Sequence, residues 1–253
     1  MFDRLRERAT APELMDDRAA GGAELREALR HLRRLNRIFG AAGPTLHGVK
    51  RLWAEAGQPA RWTLLDVGAG SGDVNRRLLR WADRRGVELR IVLLDETAEA
   101  CDEARRYYGR EPRVEVRRGD LFALPPGAAD VVTATQVLHH FTGDDMPAAV
   151  SAMLRAARVG VVVGDIHRHW IAWSAVWLVT RIVSRNRYIR HDGPLSVAKG
   201  FRGADWETLG RLPFASILHY DWRPLFRYAV TIRPAVGKDN QPMNGAGDHG
   251  HPL

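Results

Sequence analysis

From Glu24 to Phe39 the apolar residues Leu25, Ala28, Leu29, Leu32, Leu35 and Phe39 recur at helical spacing. Arg26, Arg30, Arg33, Arg34 and Arg37 fall mostly on the other face. This predicts an amphipathic helix with one side packed. Gly40 and Gly43-Pro44 are expected to stop it, and a second helix spans Thr45 to Glu55. The period then changes. Trp62 to Val67 is a short apolar run that ends at Gly68, Gly70 and Gly72, spaced by single residues. A helical pattern resumes with Val74, Leu78 and Leu79 on one side. The stretch reads as strand, tight glycine turn, helix. Glycine is needed where the backbone takes φ > 0 or where a ligand must reach the main chain.

Further apolar runs follow at strand length. Ile91 to Leu94 ends in Asp95 and Glu96; Val114 to Val116 precedes Arg118-Gly119-Asp120-Leu121; Asp130 to Ala134 precedes Thr135 to Phe141. A short helix, Met146 to Ala157, runs into a fifth strand, Arg158 to Asp165. Asp205 reads as an N-cap before Trp206 to Leu212, and Ala215 to Trp222 with Leu225 to Ile232 alternate as a hairpin. Strands alternating with helices predict an α/β chain with a parallel sheet. Ligands of such sheets sit at the carboxyl ends of the strands.

Trp170 to Val183 fits no face. Trp170, Trp173 and Trp177 lie at helical spacing, yet apolar residues fill the other positions too. The run is shorter than the ~20 residues a bilayer requires. It is expected to be a buried helix, with an apolar roof over a ligand as the sharper reading and an interfacial membrane helix as a weaker one. Arg181, Arg185, Arg187 and Arg190 with His191-Asp192 either clamp an acidic ligand or stay solvated.

Composition changes the picture little. The 253 residues suffice for a core with decorations, and the lone cysteine, Cys101, excludes an internal disulfide. The N-terminus shows no apolar signal segment, so a cytoplasmic setting is expected. The net charge of +8 invites a nucleic-acid partner. The charge is almost all arginine, dispersed over several helices, with Lys50, Lys199 and Lys238 as the lysines. No nucleic-acid partner is therefore expected, and no stable membrane insertion.

The glycine turn, the acidic strand ends and their order resemble the class I S-adenosylmethionine-dependent methyltransferases over roughly residues 60–235, in particular natural-product O-methyltransferases. The resemblance implies a Rossmann-like, seven-stranded, mostly parallel sheet of order 3-2-1-4-5-7-6. It implies an N-terminal helical cap or lid over residues 1–60, with the segment Pro12 to Asp17 as the moving part, and a methyltransferase domain over 61–234. An insert at 166–200 would lie over the acceptor, and 235–253 would be a disordered tail. The implied cofactor is S-adenosylmethionine. Gly68, Ala69, Gly70 and Gly72 would lie against it, with Asp66 supporting the loop. Asp95, next to Glu96, would hold the ribose hydroxyls. Asp120, between Gly119 and Leu121, would bond the adenine, and the chain at Thr135 and Gln136 would meet the methionine part.

Methyl transfer needs in-line placement and a nucleophile in the right protonation state. A neutral histidine is the natural base near pH 7, and an aspartate beside it fixes the tautomer. His139 or His140 is therefore the expected base, with Asp165 or His167 as partner. His167-x-His169 with Asp165 has the makings of a metal set, but no metal is expected. His249 and His251 fall in the tail. The expected reaction is methylation of a hydroxyl on a small aromatic or apolar acceptor of the polyketide or phenolic kind. C- or N-methylation, cofactor binding without transfer, and RNA methylation are the alternatives.

Overall fold

The expected strands all form, and the chain weaves them into one sheet. The computed structural model describes residues 5–17, 20–213 and 217–234. β1 (Arg61–Val67), β2 (Glu88–Asp95), β3 (Val114–Arg118), β4 (Ala129–Thr135) and β5 (Ala157–Ile166) run parallel. β6 (Ile217–Arg223) and β7 (Arg227–Arg233) form an antiparallel hairpin that joins the sheet through β5. The order is β3-β2-β1-β4-β5-β7-β6. Leu64 of β1 pairs with Ile91 on one side and Val131 on the other. The chain thus leaves β1 towards β2 and β3, then returns on the opposite side as β4. That reversal opens a crevice at the carboxyl ends of β1 and β4.

Eight helices flank the sheet among the described residues: α1 (Gly22–Ile38), α2 (Ala42–Glu55), α3 (Asn75–Arg85), α4 (Ala98–Tyr108), α5 (Asp145–Ala156), α6 (Trp170–Val183), α7 (Arg187–Lys199) and α8 (Gly203–Gly210). Leu52, Trp53, Leu78, Ile91 and Leu93 fill one face. Val132, Met153, Phe201, Trp206 and Val230 fill the other. None of these helices is long and apolar enough to cross a membrane.

Local readings shift at three points. Gly40, with φ of 64°, ends α1, whereas Gly43 and Pro44 lie in the first turn of α2, where proline's missing N–H is harmless. Asp205 sits at the third position of α8 and accepts the Arg202 N–H at 2.6 Å, so it caps from inside the helix. Leu225, with φ of 64°, belongs to the hairpin turn. Residues 214–216 and the expected tail with His249 and His251 lie outside the described residues.

α2 packs directly on β5, and glycines permit it. A Cβ on Gly48 would overlap Val162 Cγ1, and one on Gly164 would sit 2.5 Å from Thr45 Oγ1. On an exposed helix Gly→Ala gains about 1 kcal/mol. At Gly48 the sign should reverse. Gly48→Ala is expected to cost about 2 kcal/mol, because the methyl lifts α2 from the sheet. Urea unfolding of the two proteins measures the difference.

Candidate active site

The cradle at the crevice begins with a buried carboxylate. Asp66 accepts hydrogen bonds from Asn75 Nδ2 and Thr133 Oγ1, both at 2.6 Å. Burial pushes its pKa up to about 6. It ties β1 to β4 and α3 beneath the loop. Gly68, Gly70 and Gly72 have φ of 58°, 56° and 69°. They do different work. A side chain on Gly70 would meet open space, and Gly68 and Gly70 line the cavity with Ser71. A Cβ on Gly72 would overlap Leu93, and Tyr108 Oη donates to the Gly72 carbonyl at 2.6 Å. Gly72 is therefore a packing glycine. Ala69 also turns away, among residues packed on the α3 side of the core.

Asp95 closes the turn from β2. Its Oδ2 accepts the Gly70 N–H at 2.8 Å, and its Oδ1 accepts from Thr97 N and Oγ1. Asp95, Glu96, Gly119, Leu121, Thr135 and Gln136 all line the same cavity, of about 540 Å³. Asp120 is not among its walls; its carboxylate caps a short turn by accepting the Phe122 N–H at 2.8 Å. Gln136 is held at φ of 57°, a strained conformation for a side-chain-bearing residue. Its amide nitrogen donates to Asn36 and its oxygen accepts from Arg227, each at 2.7 Å. Asn36 in turn donates to Asp73 at 3.1 Å. The sequence reading missed Asn36. Its signal was a polar residue on the apolar stripe of α1, seven positions after Leu29 and four after Leu32.

This donor set fits S-adenosylmethionine. An exposed backbone at Gly70 leaves room for a close approach. A carboxylate at the end of β2 suits a diol, and Leu121 supplies an apolar surface for a ring.

The other half of the cavity is electrostatic. His139 and Asp165 are buried, with His139 Nδ1 2.8 Å from Asp165 Oδ1. The same carboxylate accepts the His139 N–H at 3.2 Å. On the far side of the ring, Nε2 lies 3.6 Å from Glu13 Oε1, an ion-pair separation, and has no hydrogen-bond partner among the described residues. Burial alone would depress the imidazole. Asp165 first, and Glu13 after it, overcome burial and hold it at about 9. Glu13 also accepts from Ser196 Oγ at 3.0 Å and stands 3.6 Å from buried Lys199 Nζ. Burial would raise this carboxyl, but His139 and its cationic neighbours hold it low. His140 pairs with Asp16 at 2.9 Å.

Glu13 and Asp16 arrive on a strap, residues 5–17, that crosses the cavity. Arg8 anchors it by donating to the carbonyls of His139, Phe141 and Lys199. Asp192 accepts the Leu14 and Met15 N–H groups at 2.9 and 3.0 Å. The strap was expected at Pro12 to Asp17; its ion pairs with His139, His140 and Lys199 were not.

His167 does not join the site. β5 ends at Ile166, so the alternation that would align residue 167 with Asp165 is lost. His167 instead bridges to Phe201, accepts the Trp222 indole N–H at 3.1 Å and packs on Tyr228. Burial pushes it down to about 4. The set of Asp165, His167 and His169 therefore does not converge. Glu13, His139 and His140 do bring possible ligand atoms within 4.8 Å of one another.

Trp170 to Val183 is a helix with the expected ends but is not buried. Trp170, Ile171, Trp177, Leu178 and Ile182 are exposed. Its other face supplies Ala172, Ala175 and Val176 to a second cavity of about 160 Å³. The arginines that follow do not line either cavity. Arg187 pairs with Glu24 at 3.1 Å, and Arg190 donates to the Ser184 carbonyl at 2.7 Å.

The charged imidazole has a measurable consequence. Its folded pKa lies above the ordinary 6.5, so its contribution to stability is complete below about pH 6.5 and is lost as pH rises through about 9. Wild type should lose on the order of 2 kcal/mol across this window. His139→Asn should be nearly flat there in urea unfolding at pH 6.5 and 9.5.

Residues 64–160 match a family model described as a methyltransferase domain. No curated protein sequence matches the chain. Among solved structures, a SAM-dependent methyltransferase from Aquifex aeolicus is similar at 14% identity and TM-score 0.54, covering 82% of this chain and 97% of that one. Human N-acetylserotonin methyltransferase in complex with SAM gives 15% and 0.53, covering 92% and 65%. The CMeT domain of the citrinin polyketide synthase gives 12% and 0.51, covering 68% and 46%. The chain spans about half the length of this and two similar matches. With the strand order and the cradle at the switch point in agreement, the chain has the class I, S-adenosylmethionine-dependent methyltransferase fold, and its residues 64–160 are similar to a methyltransferase domain.

Proposed function

We propose that the protein transfers a methyl group from S-adenosylmethionine to a hydroxyl of a small aromatic or apolar acceptor, with His139 removing the hydroxyl proton. The observation that carries this reading is the Asp165–His139 pair at the cavity that the glycine cradle lines, with only the strap's Glu13, at 3.6 Å, against Nε2. Bound S-adenosylmethionine supplies the electrophilic methyl. Gly68, Gly70, Asp95, Gly119 and Leu121 would hold it. Leu25, Leu29, Leu32 and Ile189 give the remaining wall an apolar character suited to the acceptor.

Asp165 fixes the imidazole by taking its Nδ1 proton in a hydrogen bond, and it stabilises the imidazolium formed when the acceptor is deprotonated. Glu13 stands where the acceptor hydroxyl must come. The strap is therefore a lid, and its carboxylate must leave Nε2 before that nitrogen can accept a proton. No resident metal enters this reading, because Glu13 already serves Ser196, Lys199 and the imidazole. Nucleic acid is not the substrate, since the cavity is small and its deep wall apolar.

His139→Gln and Asp165→Asn should each lower kcat by about 10²–10⁴-fold on phenolic acceptors while leaving S-adenosylmethionine affinity unchanged. Transfer of radiolabelled methyl, with calorimetry for the cofactor, tests this. Retained turnover in His139→Gln would remove the base and favour C- or N-methylation. In free enzyme the neutral imidazole is the active form, so kcat/KM should rise with pH to a plateau above about 9. Glu13→Gln should move that rise to lower pH, because one of the two carboxylates that favour the imidazolium has lost its charge. Asp95→Ala should weaken cofactor binding about tenfold, by loss of a charge-assisted hydrogen bond.

A further inference from the structure

The methyl-transfer reading leaves one large feature unused, the outward face of α6. Trp170, Ile171, Ser174, Trp177, Leu178, Arg181 and Ile182 fall on one side at helical spacing, and all are exposed, as is Arg185 just past the helix end. Trp177 is 40% exposed, Leu178 53% and Ile182 75%. The opposite side is spent: Val179 and Val183 pack with Leu35 and Tyr188. A soluble helix normally shows polar residues outward. Here a helix already packed on one side presents a second apolar face.

The patch does not stop at the helix. Trp170 stacks on His169, His169 on Phe226, and Phe226 meets Trp222 edge-on at 6.2 Å. Trp222 and Leu225 are themselves more than half exposed. Together they join α6 to the β6–β7 turn in a continuous apolar rim.

Charge narrows what covers this rim. From His167 to His191 the sequence contains no aspartate or glutamate and five arginines. Arg187 is paired with Glu24, but Arg181 lies over the Trp177 ring, 4.0 Å from its centroid, and Arg185 is exposed beside it. Arg34, exposed on α1, is one turn along from His31, which bonds Ser184 at the end of α6. A second copy of the chain would set these arginines against one another. An anionic lipid surface complements both parts, taking the tryptophans and isoleucines at the headgroup boundary and the arginines against phosphates.

The smaller cavity explains the location. Ala172, Ala175, Val176, Leu225 and Phe226 form its outer wall. It shares Leu32, Leu35, Asn36, Gln136, Gly193 and Ser196 with the cofactor cavity. The smaller cavity thus lies between the rim and the cradle, divided from the latter by a wall that includes the Asn36–Gln136 hydrogen bond.

We propose that the α6 face seats this protein on anionic membranes, with the smaller cavity as the entry for an acceptor that partitions into the bilayer. The entry half rests on the methyl-transfer reading; the docking half does not.

The test is sedimentation of the full chain with sucrose-loaded vesicles, one set of mixed phosphatidylglycerol and phosphatidylcholine, the other of phosphatidylcholine alone. Wild type is expected to sediment with the mixed vesicles and far less with the neutral ones. Ile182→Glu and Trp177→Ala should each weaken binding about tenfold or more, by loss of buried apolar surface. Arg185→Glu should weaken it about fivefold or more on the mixed vesicles, and high salt should do the same. Calorimetry with S-adenosylmethionine, unchanged in each variant, shows that the fold is intact. Absence of wild-type binding to the mixed vesicles overturns the proposal, as does equal binding by Ile182→Glu. A lipid-free dimer in light scattering that Ile182→Glu dissolves also overturns it, because a second copy then owns the face. Vesicle binding without phenol methylation would sink the methyl-transfer reading and leave the docking surface standing.

Discussion

Asp66 is 1% exposed, and the cradle depends on how its charge is accommodated. An isolated carboxylate in such a place would be intolerable. Donors from β4 and α3 satisfy it, and in doing so they hold the end of β1 at the point where strand order reverses. Three glycines can then take left-handed conformations between fixed ends. Asp95 adds a tie from β2 by accepting the Gly70 N–H. The loop is therefore pinned from four elements before any ligand arrives, and little ordering cost is left for binding.

The acceptor half follows a different logic. His139 is held between two carboxylates, one belonging to the sheet and one to the strap. Asp165 is a permanent partner. Glu13 reaches the ring from the strap, 3.6 Å from Nε2. Lys199, 2% exposed, stands 3.6 Å from Glu13 and 3.7 Å from Asp16, adding a smaller share to the hold that His139 has on the Glu13 carboxylate.

The legible parts of this molecule are local in sequence. A glycine turn after an apolar run, an acid ending the next run and a hairpin near the end place most of the cofactor cradle. Strand order followed from the family resemblance. His139 and Asp165 were read as candidates from polar residues at strand ends, and the structure pairs them. What escaped required distant pairs. Nothing near Glu13 announces that it meets His139, or that Lys199 at the end of α7 meets the strap. His167 was misplaced because alternation was extended one residue past the strand. In α6 the periodicity is silent, since apolar residues occupy every side and the pattern names no inner face. Gly72 looked like its two neighbours, and the overlap with Leu93 that distinguishes it is a tertiary fact.

The strap also says something about when this protein becomes whole. Its anchors are among the most distant in the chain: Arg8 to Lys199 spans 191 positions, and the Arg202 guanidinium reaches back 197 to the Leu5 carbonyl. Contacts of such separation form late, after the intervening sheet has closed the loop between them. During synthesis the first segment made waits for one of the last elements before it can lie down. Gln136 of the cradle waits for Arg227 on the last strand, and the strap has no seat until α7 exists. Nascent chains and fragments that stop short of α7 lack the Asp192 and Lys199 contacts that seat the strap, so closure of the cavity waits until translation has passed the seventh helix.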